Sequence, residues 1–191
     1  KKMYTCIDNA WRESNAGEVA TNELCDESFA NKVFQAGTGF VCEKDANSKY
    51  NWRAATTAEM ATGDVCGTFK QGGSTVYKNV ALVIGDYACD DDTGVYAWRD
   101  ATSNEKLAGA VCSSSHNAYE VENGYACLSG SWREATAMEI KTGLVCDANY
   151  TWLVQVRMIS AFGTARDEHF VCDDIHGSYE WRYPTAQEEY Y

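Results

Sequence analysis

Residues 125–146 read YACLSGSWREATAMEIKTGLVC, and the punctuation of this stretch decides the fold. Tyr125-Ala126-Cys127, a Leu128-Ser129-Gly130-Ser131 turn and then Trp132-Arg133 form a predicted β-hairpin in which Cys127 stands opposite Trp132. Upstream, Tyr119-Glu120-Val121 meets Tyr125 across Glu122-Asn123-Gly124, an Asn-Gly turn signal that adds a third strand. Downstream, Thr136 with Glu139 three residues later is a capping box, so a helix starts there. Gly143 lies seven residues past the cap and ends that helix after about two turns. The stretch predicts a three-stranded antiparallel meander followed by a short capped helix.

The same order of events occurs five times. Aromatic and cysteine pairs are Tyr4/Cys6, Phe40/Cys42, Tyr87/Cys89, Tyr125/Cys127 and Phe170/Cys172. Trp11, Trp52, Trp98, Trp132 and Trp181 follow, each with Arg next to it. Four positions after each Trp stands a cap residue, Asn15, Thr56, Thr102, Thr136 or Thr185, and the Glu of the box comes three later. In the first four units another cysteine follows the Trp by 14 residues, giving Cys25, Cys66, Cys112 and Cys146. The expected fold class is therefore small disulfide-rich α+β repeats: 1–25 (partial), 26–66, 67–112, 113–146 and 147–191, the last ending before its second cysteine. Lys32 to Gln35, Tyr77 to Ile84 and Leu153 to Ile159 are the expected counterparts of the leading strand.

Nine cysteines without a CxxC pair, and only three His, point to disulfides of an oxidising compartment rather than zinc. The repeat admits two schemes. In one, each strand cysteine bonds the cysteine at the end of its own helix: Cys6–Cys25, Cys42–Cys66, Cys89–Cys112 and Cys127–Cys146, with Cys172 left over. In the other, each helix-end cysteine bonds the next strand: Cys25–Cys42, Cys66–Cys89, Cys112–Cys127 and Cys146–Cys172, with Cys6 left over. The second is favoured because it closes the Asn-Gly hairpin. Units this small bury too little surface to stand alone, so the five repeat Trp are expected to plug mini-cores stapled by the disulfides.

The net charge of −12 disfavours nucleic acid as a partner, and the longest apolar runs are far too short to span a bilayer. Each Arg beside a Trp points to the opposite strand face, where neighbours such as Glu13, Asp100 and Glu134, or an aromatic ring, are the expected partners. Trp152 lies outside the repeat beside Tyr150; with the terminal Tyr190 and Tyr191 it is a candidate ligand contact. His116, His169 and His176 occupy no recurring position, and no nucleophile elbow, zinc helix or phosphate loop appears, so no catalytic residues or cofactor are expected. Asp90-Asp91-Asp92-Thr93-Gly94 and Asp173-Asp174 could offer Ca²⁺ oxygen ligands, but a solvated hairpin tip is the expected role. Asn149-Tyr150-Thr151 is a lone glycosylation sequon.

The pattern aromatic-x-Cys, Trp-Arg-x-Ala-Thr-x-x-Glu, Gly-x-Val-Cys resembles the tandem cysteine/tryptophan repeats of large secreted and cell-surface proteins of fibrobacter-like, cellulose-degrading bacteria. Tyr125 to Cys146 carries the resemblance best, and the first unit departs from it with Asn15 and Asn22 at the cap and helix end. The resemblance implies a cell-surface or appendage protein. The expectation is a non-enzymatic extracellular structural or adhesive protein that associates with itself or a surface; the alternative is a carbohydrate-binding module.

Overall fold

The computed structural model describes residues 2–7, 9–34, 38–44, 49–71, 74–91, 94–148, 153–159 and 165–188, with backbone alone for 68–71, 74–76, 153–159 and 165–167. The chain forms two compact units, Lys1–Asp100 and Ala101–Tyr191. In the first, β1 (Tyr4–Ile7) and β2 (Ala10–Glu13) make a hairpin, followed by helix α1 (Ala16–Thr21). β3 (Lys32–Val33), β4 (Phe40–Lys44) and β5 (Tyr50–Ala54) form an antiparallel sheet, followed by α2 (Thr57–Thr62). A hairpin of β6 (Gly67–Gln71) and β7 (Ser74–Lys78) then leads into the sheet of β8 (Val83–Ile84), β9 (Tyr87–Asp90) and β10 (Ala97–Asp100). The second unit comprises α3 (Ser103–Ala108), the sheet of β11 (Val121–Glu122), β12 (Tyr125–Leu128) and β13 (Ser131–Glu134), helix α4 (Ala137–Thr142), and the sheet of β14 (Leu153–Ile159), β15 (Ala165–Ile175) and β16 (Ser178–Arg182). Among the described residues no helix is long and apolar enough to cross a membrane.

Among the described residues the four α-helices each have six residues, and local chemistry sets both ends. Asn15, Thr56, Thr102 and Thr136 accept from the amide three residues on, and the Glu there accepts from the cap's own amide. Helices this short are marginal in isolation, so satisfying two end amides at once matters. Asn22, Gly63, Gly109 and Gly143 adopt the left-handed conformation that stops each helix; Asn22 does so at φ 57° in place of glycine. At Thr185 the amide and hydroxyl donate to Glu188, but only a single turn follows within the described residues.

Strand register places each cysteine opposite its tryptophan: Cys6↔Trp11, Cys42↔Trp52, Cys89↔Trp98, Cys127↔Trp132 and Cys172↔Trp181. Directly opposed residues share a sheet face, which brings sulfur and indole together. The resulting cores are small. One contains Ala108, Cys112, Cys127 and Trp132, with Ala110 and Tyr125 against it; another contains Cys146, Phe170, Cys172 and Trp181, with Met138 and Leu144. The valine before the helix-end cysteine, Val65, Val111 or Val145, is fully buried.

Three differences from expectation stand out. In the stretch 26–66 the leading strand is Lys32–Val33, shorter than expected, because Phe34 already bends out of it; Gln35 lies outside the described residues. Tyr77 to Ile84 is not one strand: Tyr77 and Lys78 end the β6–β7 hairpin, and positive φ at Asn79 and Ala81 turns the chain before Val83–Ile84. That hairpin is itself an addition to the expected meander. The stretch 1–25, expected to be partial, shows the two strands β1 and β2 among the described residues.

Gly17 sits where α1 presses on Trp52: a Cβ there would lie 2.1 Å from the tryptophan Cβ. Its φ is not the constraint; space is. Gly17→Ala is expected to destabilise the Lys1–Asp100 unit by at least about 1–3 kcal/mol, the range for overpacking a tight contact. Chemical denaturation followed by circular dichroism checks this, and an unchanged or raised midpoint would contradict it.

Candidate functional site

The recurring feature is a joint between the end of one helix and the hairpin after it. Cys25–Cys42, Cys66–Cys89, Cys112–Cys127 and Cys146–Cys172 are the four disulfides, with Cα–Cα distances of 5.3–5.5 Å. This is the scheme in which each helix-end cysteine meets the following strand, and it leaves Cys6 as an exposed thiol. Each bond therefore crosses one of the boundaries placed after residues 25, 66, 112 and 146.

A second contact locks each joint. The indole N–H of Trp52 donates to the Glu23 carbonyl at 3.0 Å, Trp98 to Asp64 at 2.9 Å, Trp132 to Ala110 at 2.7 Å and Trp181 to Leu144 at 2.8 Å. In every case the acceptor lies two residues before the helix-end cysteine. Trp52, Trp132 and Trp181 are buried, and Trp98 is half-buried. Asn79 and Asn117 add side-chain clamps to the carbonyls of Val65 and Val111, a contact not foreseen because no fixed offset from Trp marks it.

Trp11 departs from this plan. It was expected in the repeat core, but it is 74% exposed. Cys6 opposite it is unbonded, and among the described residues no carbonyl accepts from its indole N–H.

On the opposite strand face, the recurring Arg reaches a partner different from the one expected. Arg12, Arg53, Arg133 and Arg182 fork onto Glu18, Glu59, Glu139 and Glu188, the capping-box glutamates, rather than onto Glu13 or Glu134. Arg133 donates to the two Glu139 oxygens at 2.9 and 2.6 Å. The same guanidinium also donates to the carbonyl of the next residue, Glu134. One buried carboxylate thus ties strand to helix. The constant Arg-to-Glu separation of six was the available signal.

Burial alone would push Glu139 up, but the Arg133 guanidinium and then the Thr136 amide outweigh it and hold the carboxyl below its ordinary 4.5. Glu18 and Glu59 are lowered in the same way, and Arg182, then the Thr185 amide, hold the half-buried Glu188 at about 2. A folded value below the unfolded one gives stability that is fully present above about pH 4.5 and lost as pH falls through the folded value. Unfolding midpoints are expected to hold from pH 7 to about 5 and decline below. Arg133→Met should lower the midpoint at pH 7 and flatten the decline; an unchanged pH profile would refute the coupling.

The acidic runs are spoken for. Asp90 is 4% exposed and pairs with Arg99 at 2.7 Å, so this end of the run is a buried ion pair rather than a solvated tip, because strand β9 carries it inside; Asp92 and Thr93 lie outside the described residues. Asp173 accepts from Arg182 at 2.8 Å, and Asp174 accepts from the Gly177 amide in the β15–β16 turn. The expected ligand contacts Tyr150, Trp152, Tyr190 and Tyr191, and the sequon at Asn149, lie outside the described residues.

Within Lys1–Asp100 an open groove of about 1020 Å³ is lined, among others, by Tyr87, Tyr96 and Trp98 and by Arg53, Glu43 and Glu59. Arg53 pairs with both of those glutamates, which holds their polar atoms in place and leaves one negative charge in excess among the three groups. Aromatic faces beside anchored polar groups can stack on and hydrogen-bond a neutral polar ligand. Compared with known proteins, the chain matches no family model, no curated protein and no solved structure.

Proposed function

We propose that the chain is an extracellular, non-enzymatic scaffold of tandem cysteine/tryptophan modules that associates with copies of itself or with a surface. The observation supporting this reading is the joint: four times over, a helix-end cysteine and a carbonyl two residues before it receive the sulfur and the indole of the next hairpin. Repetition of one joint extends a chain without needing a large core, which suits a structural role. Four disulfides fit an oxidising exterior. Electron microscopy and sedimentation velocity over a concentration series test the proposal. Ordered assemblies growing with concentration are the expected result, and dispersed monomers throughout would defeat it.

A second reading, glycan binding, rests on the groove bordered by Tyr87, Tyr96 and Trp98. Retention on insoluble cellulose or other glycans, lost in Tyr96→Ala, would support it.

A further inference from the structure

The hairpin of β1 and β2 is finished on one face and bare on the other. On the finished face, Thr5 hydrogen-bonds Ser14 and Arg12 forks onto Glu18 of α1. The bare face carries Tyr4 at 57% exposure, Trp11 at 74% and the free Cys6. The outer edge of β1 has no partner strand among the described residues, whereas β4, β9, β12 and β15 are covered by β3, β8, β11 and β14. Three things are missing at once: a sulfur, an acceptor for the indole N–H, and a neighbouring strand.

At the other four hairpins one segment brings the sulfur and the acceptor together. It is the run from the helix stop to the helix-end cysteine, such as Gly143-Leu144-Val145-Cys146, which gives its cysteine to Cys172 and its Leu144 carbonyl to Trp181. The chain that follows it supplies the covering strand β14. All four helix-end cysteines within residues 1–191 are already bonded.

We propose that the Tyr4–Cys6–Trp11 face is a docking site for a helix-end segment of this same pattern carried by polypeptide outside residues 1–191. The occupant is a short capped helix followed by Gly-x-Val-Cys. Its cysteine bonds Cys6, and the carbonyl two residues earlier accepts the Trp11 indole N–H. Symmetric Cys6–Cys6 pairing of two copies fits less well, since it offers neither indole the carbonyl that every other repeat tryptophan has. Bond formation joins two thiols with loss of two protons and two electrons. A small-molecule disulfide takes up both and leaves as two thiols, by exchange through a mixed disulfide. The proposal rests on the scaffold reading, because the docked segment is the helix end of another module of the same pattern.

The test uses the intact chain and a synthetic peptide of residues 135–148, its cysteine activated as a 2-thiopyridyl disulfide, beside a peptide of the same composition in scrambled order. Attack by the Cys6 thiolate forms the new disulfide and expels 2-thiopyridone, whose absorbance gives the rate. Capture at least about tenfold faster for the native order is expected, with the added mass mapped to Cys6 and one tryptophan shielded from acrylamide. In Trp11→Ala, whose ring is already exposed, the two rates should converge. Equal rates for the two peptides, a preference that survives Trp11→Ala, or Cys6–Cys6 dimers forming ahead of capture would each overturn the site. A chain that captures the peptide but stays dispersed under the microscope keeps the site and loses self-assembly; assembly without preference does the reverse.

Discussion

Trp132→Ala is expected to lower the stability of the Ala101–Tyr191 unit by about 3–5 kcal/mol, whereas Trp11→Ala changes stability by less than about 0.5 kcal/mol. The two residues occupy the same place in the repeat, each opposite a strand cysteine. Their surroundings differ: Trp132 is 4% exposed and packs with Ala108, Cys112 and Cys127 in a small core, while Trp11 is 74% exposed. Truncating the largest side chain of so small a core opens a cavity that its neighbours fill only in part. Truncation also leaves the Ala110 carbonyl without its indole donor, at 2.7 Å in the intact protein. Trp132→Phe separates the two effects, since it keeps most of the ring volume and should lose roughly 1–3 kcal/mol through the unsatisfied carbonyl and the smaller ring. Urea denaturation followed by far-ultraviolet circular dichroism measures all three variants. Similar losses for Trp11→Ala and Trp132→Ala would mean that burial of the indole is not what holds these cores together.

The contrast between these two tryptophans also shows where sequence reading stops. Cap residues, helix stops and the hairpin register are local: Thr136 and Glu139 are three residues apart, and Cys127 meets Trp132 across one short turn, so spacing alone specifies them. Asn15 and Asn22, unlike their counterparts in kind, still do the same work because both side chains suit a cap and a left-handed stop. Burial of a ring is different. Trp52 packs against Gly17 of α1 and donates to the Glu23 carbonyl 29 positions earlier, and a motif containing Trp11 does not reveal whether such distant cover reaches it. The Arg–Glu fork failed for a related reason: Glu13 and Glu134 are nearer in sequence, but adjacent strand residues point to opposite faces, whereas the helix returns Glu18 and Glu139 to the arginine's own face. The β6–β7 hairpin lies in a stretch that no recurring residue of the motif marks, so internal repetition carries no information there.

Removing the Cys146–Cys172 bond by the double change to Ala is expected to lower the stability of the Ala101–Tyr191 unit by about 3–4 kcal/mol, and removing Cys112–Cys127 by about 3 kcal/mol. The sequence separations are 26 and 15, and because loop entropy grows only logarithmically the two losses should differ by roughly half a kcal/mol. Lost packing adds to both, since all four sulfurs lie in the cores against Trp132 and Trp181. The end cysteines discriminate most sharply between this pairing and the alternative in which each strand cysteine bonds its own helix end. Here Cys6 is an exposed thiol and Cys172 is buried in a bond, so Cys6→Ser should be silent and Cys172→Ala costly. The alternative reverses both outcomes, because it frees Cys172 and bonds Cys6 to Cys25. Denaturation midpoints of the two single variants, read beside a non-reducing peptide map, decide the matter: a silent Cys172→Ala together with a destabilising Cys6→Ser would dismantle the joint on which both the scaffold reading and the docking face depend.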